Sequence, residues 1–306
     1  MRTLLWSVIV YLLNTGCLLA QDKIQVVTKT ITRSFAFGQE ESLRIDAQKA
    51  TIRIKGWDQE EVKLVLKLTA KHPERAVAER ELSALRYQLT TDGSHKLLKN
   101  YFQATQQVSA ITSNLQADYE LRVPHQRAVS LSNHYGNITL SDWQATLNIT
   151  AEFGEVHLEQ ITGAIALDVT YADVTARHTR GSLTGVTRKS NLNLYELAGT
   201  VSLESSYGEI NVTALDQLQQ LTIDASRTEV TFATPDPIRY YYRLSTTNDN
   251  IYVPVPGTWA DENSIVRKQS FTTSDPSLPS IFVKTTFSPI TINFLNHETP
   301  LRTHRP

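Results

Sequence analysis

The chain has 306 residues, 41% apolar and 20% charged, with a formal net charge of −1, one Cys and one Met. That length holds enough core to fold unaided as one large domain or two ordinary ones, and the balanced charge excludes the basic footprint of a nucleic-acid binder. Twelve Gly and eleven Pro exclude a collagen-like or low-complexity chain.

Residues 1–20 read MRTLLWSVIVYLLNTGCLLA: Arg2 gives a small positive start, and Leu4 to Leu13 is an apolar run of ten with one Ser. That run is too short to span a bilayer and predicts a signal peptide. Two cuts stay open. One follows Ala20 and secretes a chain starting at Gln21. The other precedes Cys17, which would then carry lipid, although Asn14 stands where a lipobox wants Leu. No later stretch reaches transmembrane length. Loss of residues 1–20 removes Met1, Arg2 and Cys17, so the remainder has no Cys, and acidic residues exceed basic ones by two. Disulfides, thiolate catalysis and Cys metal sites are thereby excluded.

Leu43 and Ile52, with small Ala50 between them, and then Val62 open a repeating pattern that residues 68–118 interrupt. Within that insertion Pro73–Leu85 predicts a helix with an apolar stripe of Ala76, Val77, Leu82 and Leu85. The next segment predicts a hairpin around Asp92-Gly93. Such an insertion is expected to cover an exposed sheet edge.

From Val129 a nine-residue period takes over. Val129, Ile138, Leu147, Val156, Ile165, Val174, Leu183, Leu192, Val201 and Ile210 are all Val, Ile or Leu, and a second apolar column stands two residues after each. Seven residues after the starts come Gly136, Ala145, Gly154, Gly163, Ala172, Gly181, Ser190, Gly199 and Gly208, all small. Each unit therefore predicts a short strand with alternate residues inward and a tight corner where neighbouring turns approach closely. Corners alternate: Tyr135, Phe153, Tyr171, Lys189 and Tyr207 precede the small residue in every second unit only, so two units make one coil of 18 residues. The period continues with slips through Leu221 and Val230, Tyr242 and Ile251, then Ile281 and Ile290. Residues 257–280 predict a long loop and 296–306 a loose tail. The fold class is all-β: one parallel β-solenoid over 21–295 of about eight coils, with a helix-plus-hairpin insertion.

One corner edge carries Asn137, Glu155, Asp173, Asn191 and Glu209, the candidate ligand-facing residues, which are also ordinary turn chemistry. The ring column predicts stacking inside the corner, with an exposed ladder for sugar rings as the alternative. Polar columns led by Ser130 and Thr139 face outward. Asp168 and Glu204 share a column two coils apart, a carboxylate pair of the kind glycoside cleavage needs and one that any regular array would also produce. No nucleophile elbow, zinc helix, phosphate loop or dinucleotide fingerprint is present, and the eight His share no metal spacing. No catalytic residue, cofactor or metal is assigned.

The segment LRIDAQKATIRIKGWDQEEVKL, the YELRVP lead-in and the repeated Tyr-Gly-[Asn/Glu]-Ile corner resemble the bacterial putative adhesin family, a β-strand-repeat domain of unknown function. The likeness covers about 35–295 and implies an exported envelope protein with a solenoid-like fold and no established catalytic residues. The expected role is a non-catalytic surface for adhesion or interaction with an envelope protein or polysaccharide, without nucleic acid. The alternatives are a polysaccharide-processing β-helix enzyme and a periplasmic envelope-stress signalling partner, and the expected location is periplasmic, cell-surface or secreted.

Overall fold

Alternate Val, Ile and Leu residues bury one side of each strand, and the next turn of chain lies directly on the one below. In the computed structural model, which describes residues 23–104, 108, 110–263 and 266–295, this holds throughout the repeat. The expected signal peptide of residues 1–20, Cys17 within it and the expected tail of 296–306 lie outside the described residues. Strands β8 (Val129–His134) and β9 (Ile138–Trp143) form one layer. The chain then runs through β10 (Leu147–Arg188) and β11 (Leu192–Thr234), each of which passes several corners. Pairing is parallel with the register expected from the sequence: Leu147 faces Val129, Val156 faces Ile138, and Leu192 faces Val174. Both apolar columns are buried in one continuous core, and the columns led by Ser130 and Thr139 lie outside it.

The layers do not follow chain order at either end. Strands β2 (Ser42–Gln48) and β3 (Ala50–Trp57) stack on β8 and β9, with Leu43 opposite Val129 and Ile52 opposite Ile138. On their other side lie β6 (His95–Phe102) and β7 (Asn114–Pro124), also parallel. The insertion of 68–118 thus contributes a layer of the stack as well as a cover. The cover is antiparallel: β4 (Glu61–His72) pairs with β7, β1 (Gln25–Ala36) with β4, and β5 (Leu85–Asp92) with β6 around the expected turn. The helix is shorter than its pattern, α1 (Arg75–Leu82), and packs on β1 and β4.

At the far end, β16 (Ser280–Thr286) and β17 (Ile290–Phe294) slot between the layer of 221–234 and that of β12 (Tyr241–Thr247) and β13 (Ile251–Tyr252). The expected order, with Ile281 after Tyr242, is therefore corrected: the last strands return to the middle. Residues 257–280 are not a loop throughout. Strands β14 (Thr258–Asn263) and β15 (Arg267–Thr272) form a hairpin that extends β12 antiparallel and buries Phe271. Two apolar residues, Trp259 and Phe271, hold it against the core, too few to make a period visible. Among the described residues no helix is long and apolar enough to cross a membrane.

The small residues have a steric cause. A Cβ on Gly181, whose φ is +118°, would lie 2.2 Å from the carbonyl oxygen of Gly163 in the layer below. The same contact recurs at Gly208 over Ser190 and at Gly199 over Gly181. One buried charge anchors α1. Glu81 is 2% exposed and accepts from the Ser113 N–H at 2.6 Å and from the Thr112 N–H and hydroxyl, each at 2.9 Å. Burial pushes its pKa up, but these donors outweigh burial and bring it from 4.5 down to about 2.

Two outcomes follow. Gly181→Ala should lose about 3 kcal/mol in urea unfolding, and Gly93→Ala, which also has positive φ but open space around it, about 1 kcal/mol. Because the folded pKa of Glu81 is depressed, its contribution is complete above about pH 4.5 and disappears as the pH falls towards 2. The difference in Tm between wild type and Glu81→Gln should therefore be largest at neutral pH and close across that window.

Candidate functional site

The first corner of most layers places a bulky residue in the left-handed region, where L residues are strained. Tyr135 (φ 65°), Phe153 (56°), Tyr171 (53°), Lys189 (52°), Tyr207 (61°), Arg227 (51°) and Phe287 (59°) all adopt it. This geometry turns the side chain outward instead of into the core. The expectation of rings stacked inside the corner is therefore corrected: Tyr135, Phe153, Tyr171 and Tyr207 are 46%, 38%, 46% and 48% exposed. They nevertheless stack, with ring centroids 4.8 Å apart for Tyr135 and Phe153 and 5.1 Å for Phe153 and Tyr171, the ring planes nearly parallel in both pairs.

Lys189 and Arg227, which look like interruptions in the sequence, continue the ladder. Lys189 Nζ lies 4.7 Å from the Tyr171 ring centroid and donates to the Tyr171 hydroxyl at 2.5 Å. That hydrogen bond holds its pKa above the ordinary lysine range. The Arg227 guanidinium is 5.3 Å from the Tyr207 centroid and 5.2 Å from that of Phe287. Cation and ring faces are thus covered by neighbours, and the ladder offers ring edges, hydroxyls and charge.

Asn137, Glu155, Asp173, Asn191 and Glu209 stand beside this ladder, one per layer, and the structure brings them into line as the period predicts. Their oxygens are largely engaged along the stack. Asn137 Oδ1 accepts the Glu155 N–H at 3.1 Å, Asp173 Oδ1 the Asn191 N–H at 2.9 Å, and Asn191 Oδ1 the Glu209 N–H at 3.1 Å. Glu155 also meets His157 at 3.1 Å, and the Glu209 carboxylate has no intramolecular partner among the described residues. This column ties each layer to the next.

The second corner has its own left-handed column, Asp142, Gln160, His178 and Glu196, absent from the sequence expectation although it too recurs at the coil period. His178 lies between Glu159 at 2.9 Å and Glu196 at 2.7 Å. On the flat face, Asp168 pairs with Arg188 at 3.0 Å and Asp224 with Lys284 at 2.9 Å. Val186 stands between Asp168 and Glu204, and all three lie on an open sheet face. No group of three His, Asp or Glu side chains converges to hold a cation among the described residues.

The Toastrack DUF4097 family model matches residues 40–285. The chain belongs to that family, a domain of unknown function. Among solved structures, it is similar to a putative adhesin from Bacteroides fragilis NCTC 9343 at 11% identity, covering 87% of this chain and 97% of that one with a TM-score of 0.48. It is also similar to a putative adhesin from Parabacteroides distasonis ATCC 8503, at 7% identity, 87% and 97% coverage and a TM-score of 0.41. A putative cell adhesion protein from Clostridium sporogenes ATCC 15579 gives 11% identity, 88% and 100% coverage and a TM-score of 0.25. The family assignment rests on the residues matched, not on these superpositions. The comparison with curated proteins found no match.

Replacing Asn191 by Ala leaves the Glu209 N–H without its acceptor and should cost about 1 kcal/mol in urea unfolding. Glu209→Ala, whose side chain bonds nothing, should stay within about 0.5 kcal/mol of wild type.

Proposed function

We propose that this chain is a non-catalytic envelope protein, exported by residues 1–20, whose region 21–295 acts as one rigid β-solenoid of about eight coils and binds an envelope protein or polysaccharide through its outer surface. The observation that carries this reading is the ring ladder standing outside the fold. Aromatic side chains with 38–48% of their surface in water, held by strained backbone in every other corner, cost stability and contribute little core. Their regular spacing, about 4.8 Å per layer, suits an extended ligand.

The contact surface on this reading is the edge of Tyr135, Phe153, Tyr171 and Tyr207 together with the carboxylates of Glu155, Asp173 and Glu209. Stacked ring faces are unavailable to a sugar, so recognition runs through hydroxyls, ring edges and acid groups. A cleaving enzyme is disfavoured by the pairing of Asp168 with Arg188 and by the open face on which Glu204 stands.

The test is retention of native envelope components on the immobilised full chain, compared with a Tyr135→Ala, Tyr171→Ala, Tyr207→Ala variant. The expected outcome is retention of one protein or one polysaccharide, with the triple variant losing about tenfold in affinity while keeping cooperative unfolding. Equal retention by both chains, or none by either, sinks the reading.

A further inference from the structure

The two ends of the stack differ in a complementary way. Apart from the corner ladder, the large apolar side chains that are exposed among the described residues lie at or near the ends or in the insertion. Ile24, just before β1, and Val26, within it, lie at one end, and Tyr252, Trp259 and Phe294 lie at the other. Among the described residues both ends also leave strand edges open: β1 pairs only with β4, β5 only with β6, and β14 only with β15. Unpaired edges of this kind are templates for another chain.

Shape and charge decide which ends meet. At the first end a groove between α1 and β5 is lined by Lys29, Leu68, Leu82, Leu85, Arg86 and Tyr87, with Glu79, already bonded to Arg75, also on its wall. Lys29, Arg33 and Arg86 have no acidic partner there. At the second end Trp259 is 44% exposed on the inward side of β14, the strand that also carries Asp261, which has no basic partner among the described residues, and Glu262, already paired with Lys268 of β15 at 3.8 Å. Two first ends would oppose cations to cations, and two second ends would bring Asp261 against Asp261, whereas unlike ends set Asp261 against the unpaired cations.

Strand direction agrees. β5 runs against the layers, being antiparallel to β6, whereas β14 runs with them, being antiparallel to β15, which opposes β12. Coaxial copies therefore bring β14 and β5 together antiparallel, the more favourable pairing. The ends are also stepped. β15 and β14 prolong one face beyond β12, and β1 prolongs the opposite face at the other end. On the shorter face of the second end, Pro254 and Pro256 follow β13 and remove the N–H groups a neighbour would need.

We propose that copies of this chain stack head to tail, with Trp259 of one seated in the α1–β5 groove of the next and β14 pairing with β5. Such a heterologous contact does not close on itself and builds chains of copies. This inference is independent of the envelope reading above, since it concerns the ends and not the ladder.

Sedimentation velocity on the full chain over a range of concentrations and salt tests it. Wild type should give a ladder of species that shortens as salt rises. Trp259→Ala blocks one end and Arg86→Glu the other, so each alone should be monomeric, with association weakened about tenfold or more. Mixed together, they retain one intact pair of ends and should form a dimer and nothing larger. If Trp259→Ala unfolds early, Asp261→Lys serves as the second block of that end. Wild type that stays monomeric throughout, or a single variant that still dimerises with itself, overturns the proposal.

Discussion

The constraint on which the rest of the structure depends is the close approach of one corner to the corner beneath it. Parallel strands on a common register stand about 4.8 Å apart, and at a corner the backbone has no side chain with which to keep that distance. The 2.2 Å separation between a Cβ built on Gly181 and the Gly163 oxygen shows how little room remains. Everything periodic in the sequence follows from this contact. The small residue must recur at each corner, the strands must have equal length, and the apolar columns must fall into line. A one-residue slip would turn every inward residue outward.

The same constraint explains why strained residues sit beside the small ones. Completing the turn needs a left-handed residue, and Gly or Asn is the usual solution. Here Tyr, Phe, Lys and Arg occupy the position in most layers. Stacking down the column offsets part of the strain, because each ring or cation covers the face of its neighbour, with exposed pairs of this type contributing about 0.5–1.5 kcal/mol. Asn137, Asp173 and Asn191 add a second tie by accepting backbone N–H groups of the adjacent layer. The corner is thus both a stabilising element and the most chemically distinctive part of the surface.

What the sequence makes legible is what repeats. The inward columns, the small corners and the outward Ser130 and Thr139 columns all stand where the nine-residue period puts them. The side of the ring column is not legible, because a ring before a small residue is compatible with either direction until the sign of φ is known. Layer order is hidden for a related reason. Ile281 and Tyr242 occupy equivalent positions on the same face, and nothing in a shared period says which lies nearer Leu221. The hairpin of β5 and β6 is legible, but the place of β6 as a layer of the stack is not, because Asn100 takes an interior position, satisfied by the Tyr119 hydroxyl at 2.9 Å and by the Gln48 carbonyl at 2.7 Å. A hydrophobic count passes over a buried amide whose bonds are complete.

A stack of this kind removes lateral edges by folding each layer onto the next, but it cannot remove its two ends. The chain treats those ends differently from its interior. It reverses direction at both, inserting β2 and β3 inside the layer of β6 and β7, and β16 and β17 inside that of β12 and β13. The outermost strands are then antiparallel additions outside the period, where the side chains are released from the packing rule that governs the middle. Protection is uneven as a result. Pro254 and Pro256 guard one face, whereas β1, β5 and β14 keep open edges, with unpaired cations at one end and the unpaired Asp261 at the other. Interior columns are dictated by the fold, so the positions at which this sequence had freedom to choose are the corner ladder and the ends, and both hold groups that folding alone does not require.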